Sequence, residues 1–430
     1  MPLPINRAAA KVLVKKGEVM IDTAMRRTPT FMTGLALLFP ITLSVMAALF
    51  VAPIAPKIAE TFAPTGQYRP EDLGWYIGWI ITVPALCVAL FSIPAGWLGD
   101  RVGRRKMLIW SMALYVVVGI MPYFLDDLVH ILWSRVAVGI VEAMLMTLST
   151  TLIGDFFKGQ SRDRWLAAQT GVASTCAIFA ILVASYVGRN DWHNVFLLYL
   201  IPLVFLALVI AFTWEPDESE YLASKDKEGK WSDIPWGLMS VICMITLFSS
   251  VMFYTVQIKL PDAYKALGVV LADGSYDAAR GGMMTAVASI FVPVGTLCFW
   301  WLSPRLSLKA MFVLEFVLLT AGFTLMSILK SPWAFTLAAG LDQIGAGMLL
   351  PTLLTWAVAR LPFPVRGRGT GLWTATFSLG QFACNNAAIP FIIGFTGGIL
   401  PTMGVLGWLC GGAAIIALVA PLKTPERQAG

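Results

Sequence analysis

The chain has 430 residues, of which 58% are hydrophobic and only 13% are charged, and its formal net charge at pH 7 is +6. A soluble fold of this length could not bury so many apolar side chains in one core, so the composition excludes an ordinary water-soluble domain. The surrounding solvent is therefore expected to be lipid.

The apolar stretches predict helices that cross a membrane. They repeatedly reach the roughly 20 residues that a helix needs to span a hydrocarbon core of about 30 Å. We predict an all-α membrane protein with twelve transmembrane helices. In chain order, the predicted spans lie near 31–59, 73–98, 107–125, 129–156, 166–187, 193–213, 236–258, 281–302, 310–329, 332–359, 369–395 and 400–421.

The distribution of basic residues predicts the orientation. The opening 30 residues contain six Lys and Arg residues and lack the uninterrupted apolar run of a cleavable signal peptide. With the N-terminus inside, 23 of the 31 Lys and Arg residues lie in inner segments, 7 lie in outer segments, and Arg135 lies within the membrane. This positive-inside bias predicts that both termini are cytoplasmic. No basic domain with interleaved aromatic residues suggests nucleic-acid binding, and the expected partner is the lipid bilayer.

A charged segment divides the predicted spans into six and six. Ten of the nineteen residues from Glu215 to Asp233 are charged, and Leu98–Lys106 has a degraded echo about 204 residues later in Leu302–Lys309. Duplication of a six-helix unit explains both observations, and it predicts two pseudo-symmetric bundles. The predicted segments are a basic cytoplasmic N-terminal segment (1–30), an N-terminal bundle (31–214), a cytoplasmic linker (215–235), a C-terminal bundle (236–421) and a cytoplasmic tail (422–430).

The loop between the second and third spans carries a dense motif. Its sequence, Gly96-Trp-Leu-Gly-Asp100-Arg101-Val-Gly103-Arg104-Arg105-Lys106, resembles the loop signature of the major facilitator superfamily. The resemblance covers essentially residues 31–421, and it implies two six-helix bundles around a central, alternately accessible cavity. It also implies that contacts of this loop latch the inner gate. The candidate gating residues are Gly96, Asp100, Arg101, Gly103, Arg104, Arg105 and Asp155.

Elementary chemistry supports a special role for this loop. Gly96 and Gly103 permit close backbone approach or a tight turn, and Asp100 is suited to face the positive end of a neighbouring helix. Asp155, at the inner end of the fourth span, is expected to pair with Arg101 or Arg104. The alternative is that the cations only determine topology.

Arg135 and Glu142 are ionisable groups deep in the fourth span, where each is a site hypothesis by default because burial in lipid is costly. They lie seven residues apart and therefore share a helix face. The stretch Arg135-Val-Ala-Val-Gly139-Ile-Val-Glu142 resembles the R-x-x-x-G-x-x-E motif of anion:cation symporters and spinster-like transporters. This resemblance implies that Arg135 binds an anionic substrate group and that Glu142 carries the coupling proton. The first span lacks the Asp-Arg pair of the anion symporters, and a structural ion pair is the alternative.

Two further carboxyl groups lie within predicted spans. Asp342 in the tenth span is near the pseudo-symmetric equivalent of Arg135, and we expect it to face Arg135 across the cavity. Two carboxylates that share one guanidinium leave a surplus negative charge, which proton uptake by one of them relieves. We therefore predict Glu142 as the first proton-coupling residue and Asp342 as the second. Glu315 in the ninth span is interpreted as structural.

Polar and aromatic residues in spans that the resemblance places around the cavity are candidates for substrate contacts. Such side chains orient a solute or hold helices together. The adjacent Asn385 and Asn386 cannot both face the same way on an α-helix, so at most one is expected to meet substrate. The set is Gln169, Tyr254, Gln257, Trp373, Gln381 and Asn385.

Several activities are excluded by missing motifs. No G-x-x-x-x-G-K-[ST] phosphate loop is present to drive transport by hydrolysis, and no Ser/His/Asp arrangement or metal cluster suggests an enzyme. No cofactor is expected, and a proton gradient supplies the driving force. We predict a monomeric, proton-coupled symporter of a small organic anion in a prokaryotic cytoplasmic membrane. The alternatives are a drug or metabolite:proton antiporter and a transporter of a lysolipid-like substrate.

Overall fold

The computed structural model describes residues 28–157, 159–215, 230–361 and 365–420. Nearly the whole of this part is helical, and its one isolated β-bridge joins Val270 to Tyr276. Most of the predicted N-terminal segment, most of the linker and the C-terminal tail lie outside the described residues.

Six helical segments, α1 to α6, form the N-terminal half of the described chain. Some of them change helix type along their length. They are α1 (Phe31–Val51, continued by Ala52–Ile54 and Ala55–Phe62), α2 (Pro70–Val102), α3 (Arg104–Ile120), α4 (Leu128–Phe156), α5 (Gly159–Val187) and α6 (Trp192–Leu200 and Pro202–Phe212).

Six more segments, α7 to α12, form the C-terminal half. One of them, α11, contains a π-helical turn. They are α7 (Trp236–Ala266), α8 (Ala278–Ser289 and Phe291–Leu302), α9 (Leu308–Ile328), α10 (Pro332–Arg360), α11 (Arg366–Ala383, Cys384–Ala388 and Ile389–Thr396) and α12 (Ile399–Val419).

Within the described residues, eleven helical stretches are long and apolar enough to cross a membrane. In α1 this stretch begins at Met46 and follows a shorter apolar piece, Phe31–Ser44. The remaining segment, α11, combines polar side chains with its π-helical turn, so it does not form one uninterrupted apolar helix. Helices suit lipid because they satisfy their backbone hydrogen bonds within a single segment.

Each half has its own buried core, and small residues let helices approach closely. A side chain at Gly139 of α4 would meet the Cα atom of Pro84 in α2 at 2.5 Å, and one at Gly322 of α9 would meet the Cβ atom of Asp342 in α10 at 2.5 Å. Close backbone approach of this kind is a common source of stability between helices in lipid.

The two halves touch at the end of the molecule opposite the 96–106 loop. We call that end the far end and the other the loop end. At the far end the Asn385 side-chain amide donates to the Gly78 carbonyl (2.8 Å). Glu60, from the last turns of α1, accepts from Lys265 Nζ (2.5 Å) and from the Tyr276 backbone N–H (3.1 Å). These contacts join α1 and α2 to the C-terminal half.

The start of α4 is held by a side-chain cap. Asp127 accepts hydrogen bonds from the backbone N–H groups of Val129 and His130, and from the Tyr68 hydroxyl at 2.9 Å. Burial alone would raise the pKa of the Asp127 carboxyl, but the hydrogen bonds from His130 and Tyr68 hold that pKa below its usual value. The cap determines where α4 begins and therefore which way Arg135 and Glu142 point.

Candidate functional site

Arg135 is fully buried among the helices of the N-terminal half. Its Nη2 atom donates to the Ala47 carbonyl of α1 at 3.2 Å, and its guanidinium carbon lies 5.3 Å from the centre of the Tyr199 ring in α6. The Nε and Nη1 atoms have no hydrogen-bond partner among the described residues. Buried donors without partners are costly, and an anion is the group best suited to satisfy two guanidinium N–H groups.

Glu142 lies two turns along the same helix and is 1% exposed. Its Oε1 atom is 3.4 Å from the hydroxyl of Tyr115 in α3, and that hydroxyl is also 2.7 Å from the Leu43 carbonyl of α1. Tyr254 of α7 and Cys87 of α2 lie within electrostatic reach of Glu142. Glu142 therefore lies where the N-terminal core borders on a helix of the other half.

Arg135 and Glu142 point into the same core, in keeping with their seven-residue spacing. They are linked through Tyr199 and Tyr115, whose ring centres are 5.2 Å apart. Because Nη2 binds Ala47 and the other two nitrogens are unpartnered in the described structure, Arg135 makes no hydrogen bond with Glu142. A direct ion pair, which was the structural alternative for these residues, is not formed in this conformation.

Asp342 faces the interior of the C-terminal half. Its backbone and Cβ lie against Gly322 of α9, and its carboxyl is within electrostatic reach of Cys410 in α12. Oδ2 accepts from the Gln343 side chain (3.1 Å), whereas Oδ1 has no partner among the described residues. The expectation that Asp342 faces Arg135 is wrong for this conformation, because α10 turns this side chain towards α9 and α12.

Glu315 is the other buried carboxyl of the C-terminal half. It accepts a hydrogen bond from the Thr352 hydroxyl (2.5 Å), which joins α9 to α10. This contact is the kind of polar bond that holds two helices together in lipid.

Two predicted substrate-contacting glutamines bind neighbouring helices. The Gln169 amide nitrogen of α5 donates to the Leu37 carbonyl of α1 (3.3 Å). Gln257 of α7 donates to Gln343 of α10 (2.6 Å) and accepts from Ser289 of α8 (3.3 Å). Both are buried and engaged within one half. In this conformation they connect helices within a half. Gln381 is likewise buried, in α11.

Asn385 and Asn386 are adjacent residues in the π-helical turn of α11. Asn385 donates to the Gly78 carbonyl, and Asn386 donates to the Thr82 hydroxyl, so both side chains contact α2. The expectation that these neighbours face different ways is wrong, because the two side chains reach Gly78 and Thr82, which lie one turn apart on the same helix. In this conformation both residues join the halves at the far end.

Tyr254 and Trp373 belong to an aromatic group on α7 and α11. The Phe377 ring lies between them, with its centre 5.3 Å from that of Tyr254 and 5.6 Å from that of Trp373, to which it is nearly parallel. Phe377 has no polar or charged group that marks it in the sequence as a site residue. This group offers flat apolar surface, and the indole N–H of Trp373 has no partner among the described residues.

The 96–106 loop is tied to its own half by two arginines. Arg104 Nη1 lies 2.6 and 2.7 Å from the two carboxylate oxygens of Asp155 in α4, so Asp155 pairs with Arg104. Arg105 donates to the Thr213 hydroxyl (3.1 Å) and to the Ile210 carbonyl (3.0 Å) at the end of α6. Arg101 is exposed, and the side chain of Asp100 lies outside the described structure.

The glycines of this loop have distinct roles. Gly103 has a φ of +108°, a conformation that favours glycine. A side chain at Gly96 would make only ordinary van der Waals contact, whereas one at Gly99 would meet the Leu148 side chain at 2.3 Å. The close approach between α2 and α4 in this loop therefore occurs at Gly99. Glu215 accepts from the backbone N–H groups of Arg105 and Lys106 (3.2 and 3.1 Å). Glu215 therefore places its carboxylate at the N-terminal end of α3, which is the positive end of the helix dipole.

The sequence matches a family model over most of its length. The model of the Major Facilitator Superfamily matches residues 35–383. The chain belongs to the major facilitator superfamily. It is thus a multi-pass membrane protein, which confirms the predicted family and fold class.

The relatives that the chain matches include a multidrug efflux pump and transporters named for niacin and for galactarate or D-glucarate. The multidrug efflux pump LfrA of Mycolicibacterium smegmatis is 28% identical over 198 residues, which is 45% of this chain and 38% of LfrA. The niacin transporter NiaP of Acinetobacter baylyi is 23% identical, covering 35% of this chain and 34% of NiaP. The probable galactarate/D-glucarate transporter GudP of Escherichia coli is 22% identical, covering 39% of this chain and 40% of GudP. Each alignment covers less than half of the relative.

Solved superfamily structures show the same fold. A D-xylose-proton symporter superposes with a TM-score of 0.77 at 14% identity, covering 92% of this chain and 99% of the symporter. A bacterial homolog of the human lysosomal transporter Spinster, in an inward-facing and unoccupied conformation, superposes with a TM-score of 0.64 at 16% identity, covering 90% and 91%. At this identity, the likeness concerns the fold alone.

We expect the Arg104–Asp155 pair to stabilise the loop end of this superfamily member. Asp155→Asn removes the charge from a two-oxygen contact whose side chains are only 17% and 22% exposed, and it should lower the free energy of unfolding by about 1.5 kcal/mol. The matched control is Asp72→Asn, because Asp72 pairs with an Arg69 side chain that is 76% exposed, and its loss should stay within about 0.5 kcal/mol. Chemical denaturation in detergent measures both; equal losses would contradict the expectation.

Proposed function

We propose that this chain is a proton-coupled secondary active transporter that imports a small organic anion by symport and alternating access. The observation that carries the proposal is the Arg135–Glu142 pair. A guanidinium with two nitrogens that have no hydrogen-bond partner among the described residues lies in one buried core with a carboxyl, and the two groups do not bind each other. An anion and a proton are the two species that these groups are suited to bind.

A carboxylate substrate is further supported by the names of two relatives. The names of NiaP and GudP state transport of niacin and of galactarate or D-glucarate, and all three compounds are carboxylates. In the proposed scheme Arg135 binds the substrate carboxylate. Because Ala47 of α1 and the Tyr199 ring cover the guanidinium in this conformation, substrate reaches it only when α1 moves.

The remaining predicted residues have supporting roles in this proposal. Glu142 takes up and releases the coupling proton, and Asp342 is the second candidate for that role. The aromatic group of Tyr254, Phe377 and Trp373 supplies flat contacts for the apolar part of the solute.

The proposed setting is a prokaryotic cytoplasmic membrane, with a monomer whose two termini are cytoplasmic. The positive-inside bias supports this orientation. The loop end then faces the cytoplasm, the far end faces outwards, and the contacts of Glu60 and Asn385 close the outer side. Under this proposal, the outer side is closed in the conformation described here.

Export by proton antiport is the second candidate, and a lysolipid-like substrate is a third. The antiport candidate is favoured by the similarity to the multidrug efflux pump LfrA. It is opposed by α5, where Gly171–Gly188 lacks the proline of the signature expected for drug:proton antiporters. The buried Arg135 also favours an anion over the cationic compounds that many efflux pumps export.

Purified protein in proteoliposomes tests the direction and the substrate class. With the outside acidified, radiolabelled niacin, glucarate or galactarate should accumulate, and a protonophore should abolish the accumulation. If none of the three accumulates and a cationic dye is instead moved against the proton flux, symport is excluded and antiport is supported.

A further inference from the structure

The face of α1 that turns towards α4 receives hydrogen bonds from both parts of the coupling site. Arg135 donates to the Ala47 carbonyl, and Tyr115, which contacts Glu142, donates to the Leu43 carbonyl. Leu43 and Ala47 are four residues apart, about one helical turn, so their carbonyls lie on the same face. One stripe of α1 therefore contacts both the anion-binding and the proton-binding groups.

Tyr115 can serve only one acceptor at a time, because its hydroxyl carries a single proton. The Leu43 carbonyl can only accept, so the 2.7 Å contact uses that proton. The 3.4 Å contact between the Tyr115 oxygen and Glu142 Oε1 is then a hydrogen bond only when Glu142 carries a proton and donates it. In this arrangement Glu142 is the donor, Tyr115 is the relay, and Leu43 is the final acceptor.

Loss of the proton from Glu142 reverses this arrangement. An ionised carboxylate accepts hydrogen bonds and cannot donate them, so it competes with Leu43 for the Tyr115 proton. A hydrogen bond to a charged acceptor is about twice as strong as one between neutral groups. The Tyr115 hydroxyl therefore turns to Glu142, and the Leu43 carbonyl of α1 loses its side-chain donor.

We propose that Tyr115 is a positioning residue that communicates the protonation state of Glu142 to α1. The proposal rests on the proposed function, in which Glu142 carries the coupling proton. The same α1 continues through Ala52–Ile54 into Ala55–Phe62, where Glu60 binds Lys265 and the Tyr276 backbone of the C-terminal half. A change in the hydrogen bonds that α3 and α4 donate to α1 is therefore transmitted along α1 to the Glu60 contact, which joins the halves at the far end.

Within the described residues, the ionisable neighbours of Glu142 are tyrosine, cysteine and arginine side chains, so Glu142 is the carboxyl of this group. Tyrosine and cysteine ordinarily titrate above pH 8, and arginine far higher. The face of α1 contributes backbone carbonyls to this contact. The ionisable groups within electrostatic reach of Glu142 are Arg135 on α4, Cys87 on α2, Tyr115 on α3, Tyr199 on α6 and Tyr254 on α7.

Distance measurement between spin labels at the far end tests the proposal. Labels are placed at Ala63→Cys and Ala272→Cys, which are exposed and lie on opposite halves, after replacement of the six native cysteines by alanine. In the parent protein the distance distribution should change between pH 5 and pH 8. Tyr115→Phe keeps the ring but removes the hydroxyl, and it should lose this pH response. Tyr123→Phe, at the far end of the same span, is the control and should retain it.

The outcomes separate this proposal from the proposed function. If Glu142→Gln keeps the pH response, Glu142 is not the coupling residue and the proposed function fails at that point. If Glu142→Gln loses the response while Tyr115→Phe keeps it, only the role of Tyr115 is overturned. Loss in both variants, with retention in Tyr123→Phe, supports the proposal.

Infrared difference spectroscopy supplies a measurement without any substitution at Tyr115. With ring-labelled tyrosine, the tyrosine C–O band should shift when pH changes in the wild type and should stay constant in Glu142→Gln. A wild-type spectrum in which the carboxyl band responds to pH but no tyrosine band does would overturn the role of Tyr115.

Discussion

Glu142→Gln is expected to abolish proton-driven accumulation of substrate while leaving exchange of substrate across the membrane. Glutamine fills nearly the same space and can still contact Tyr115, but it does not bind and release a proton in the working pH range. One pH unit of gradient corresponds to about 1.36 kcal/mol, so symport of one proton per solute supports about tenfold accumulation. In the variant that ratio should fall to one, as measured by uptake and by counterflow in proteoliposomes.

Glu315→Gln is the matched control for this prediction. It makes the same chemical change at another fully buried carboxyl, which binds Thr352 between α9 and α10. Its accumulation ratio should stay near that of the wild type. If Glu315→Gln abolished accumulation and Glu142→Gln did not, coupling would have to be assigned to the C-terminal half, where Asp342→Asn would be the next variant to measure.

Gly139→Ala is expected to cause a large loss of stability. The added Cβ would lie 2.5 Å from the Cα atom and 2.8 Å from the carbonyl oxygen of Pro84, and 2.7 Å from the Cβ atom of Cys87. Backbone atoms cannot move aside as a flexible side chain does, so α2 and α4 must separate. We expect a loss of about 3 kcal/mol in the free energy of unfolding, together with impaired transport because Arg135 and Glu142 flank Gly139.

Gly154→Ala provides the control on the same helix. Apart from its own helix, no atom of the described residues lies within 4 Å of a side chain added at Gly154. Alanine also favours the helical state over glycine by up to about 1 kcal/mol, so this variant should be as stable as the wild type or slightly more so. Chemical denaturation of both variants measures the difference. If they lost equal stability, the close contact between α2 and α4 at Gly139 would be contradicted.

Local periodicity was enough to predict part of the site. The seven-residue spacing predicted that Arg135 and Glu142 share a face, and the structure directs both into the N-terminal core. Tyr115 and Tyr199 were not predicted from spacing, because a tyrosine within a span has no charge that marks it as costly in lipid. A useful signal would have been their hydroxyl groups, which need hydrogen-bond partners when they are buried far from the interface.

Other expectations failed because they depended on which neighbour a helix face meets. Asp342 was expected to face Arg135, yet α10 turns it towards Gly322 and Cys410. The rule that adjacent residues diverge failed at Asn385 and Asn386, because both side chains reach the same neighbouring helix at Gly78 and Thr82, and hydropathy does not reveal which helix lies there. Gln257 is polar, as expected of a residue that lines a cavity, but its side-chain amide is hydrogen-bonded to Gln343 and Ser289.

The sequence by itself determined the lipid environment, the helical class, the resemblance to the superfamily and the common face of Arg135 and Glu142. These properties follow from composition and from the 3.6-residue period, which act within single segments. Only the tertiary structure decided that Arg104 pairs with Asp155, that Glu60 joins the halves at the far end, and that Tyr115 lies between Glu142 and α1. Contacts between segments depend on how the faces of different helices pack together, and no single stretch of sequence contains that information.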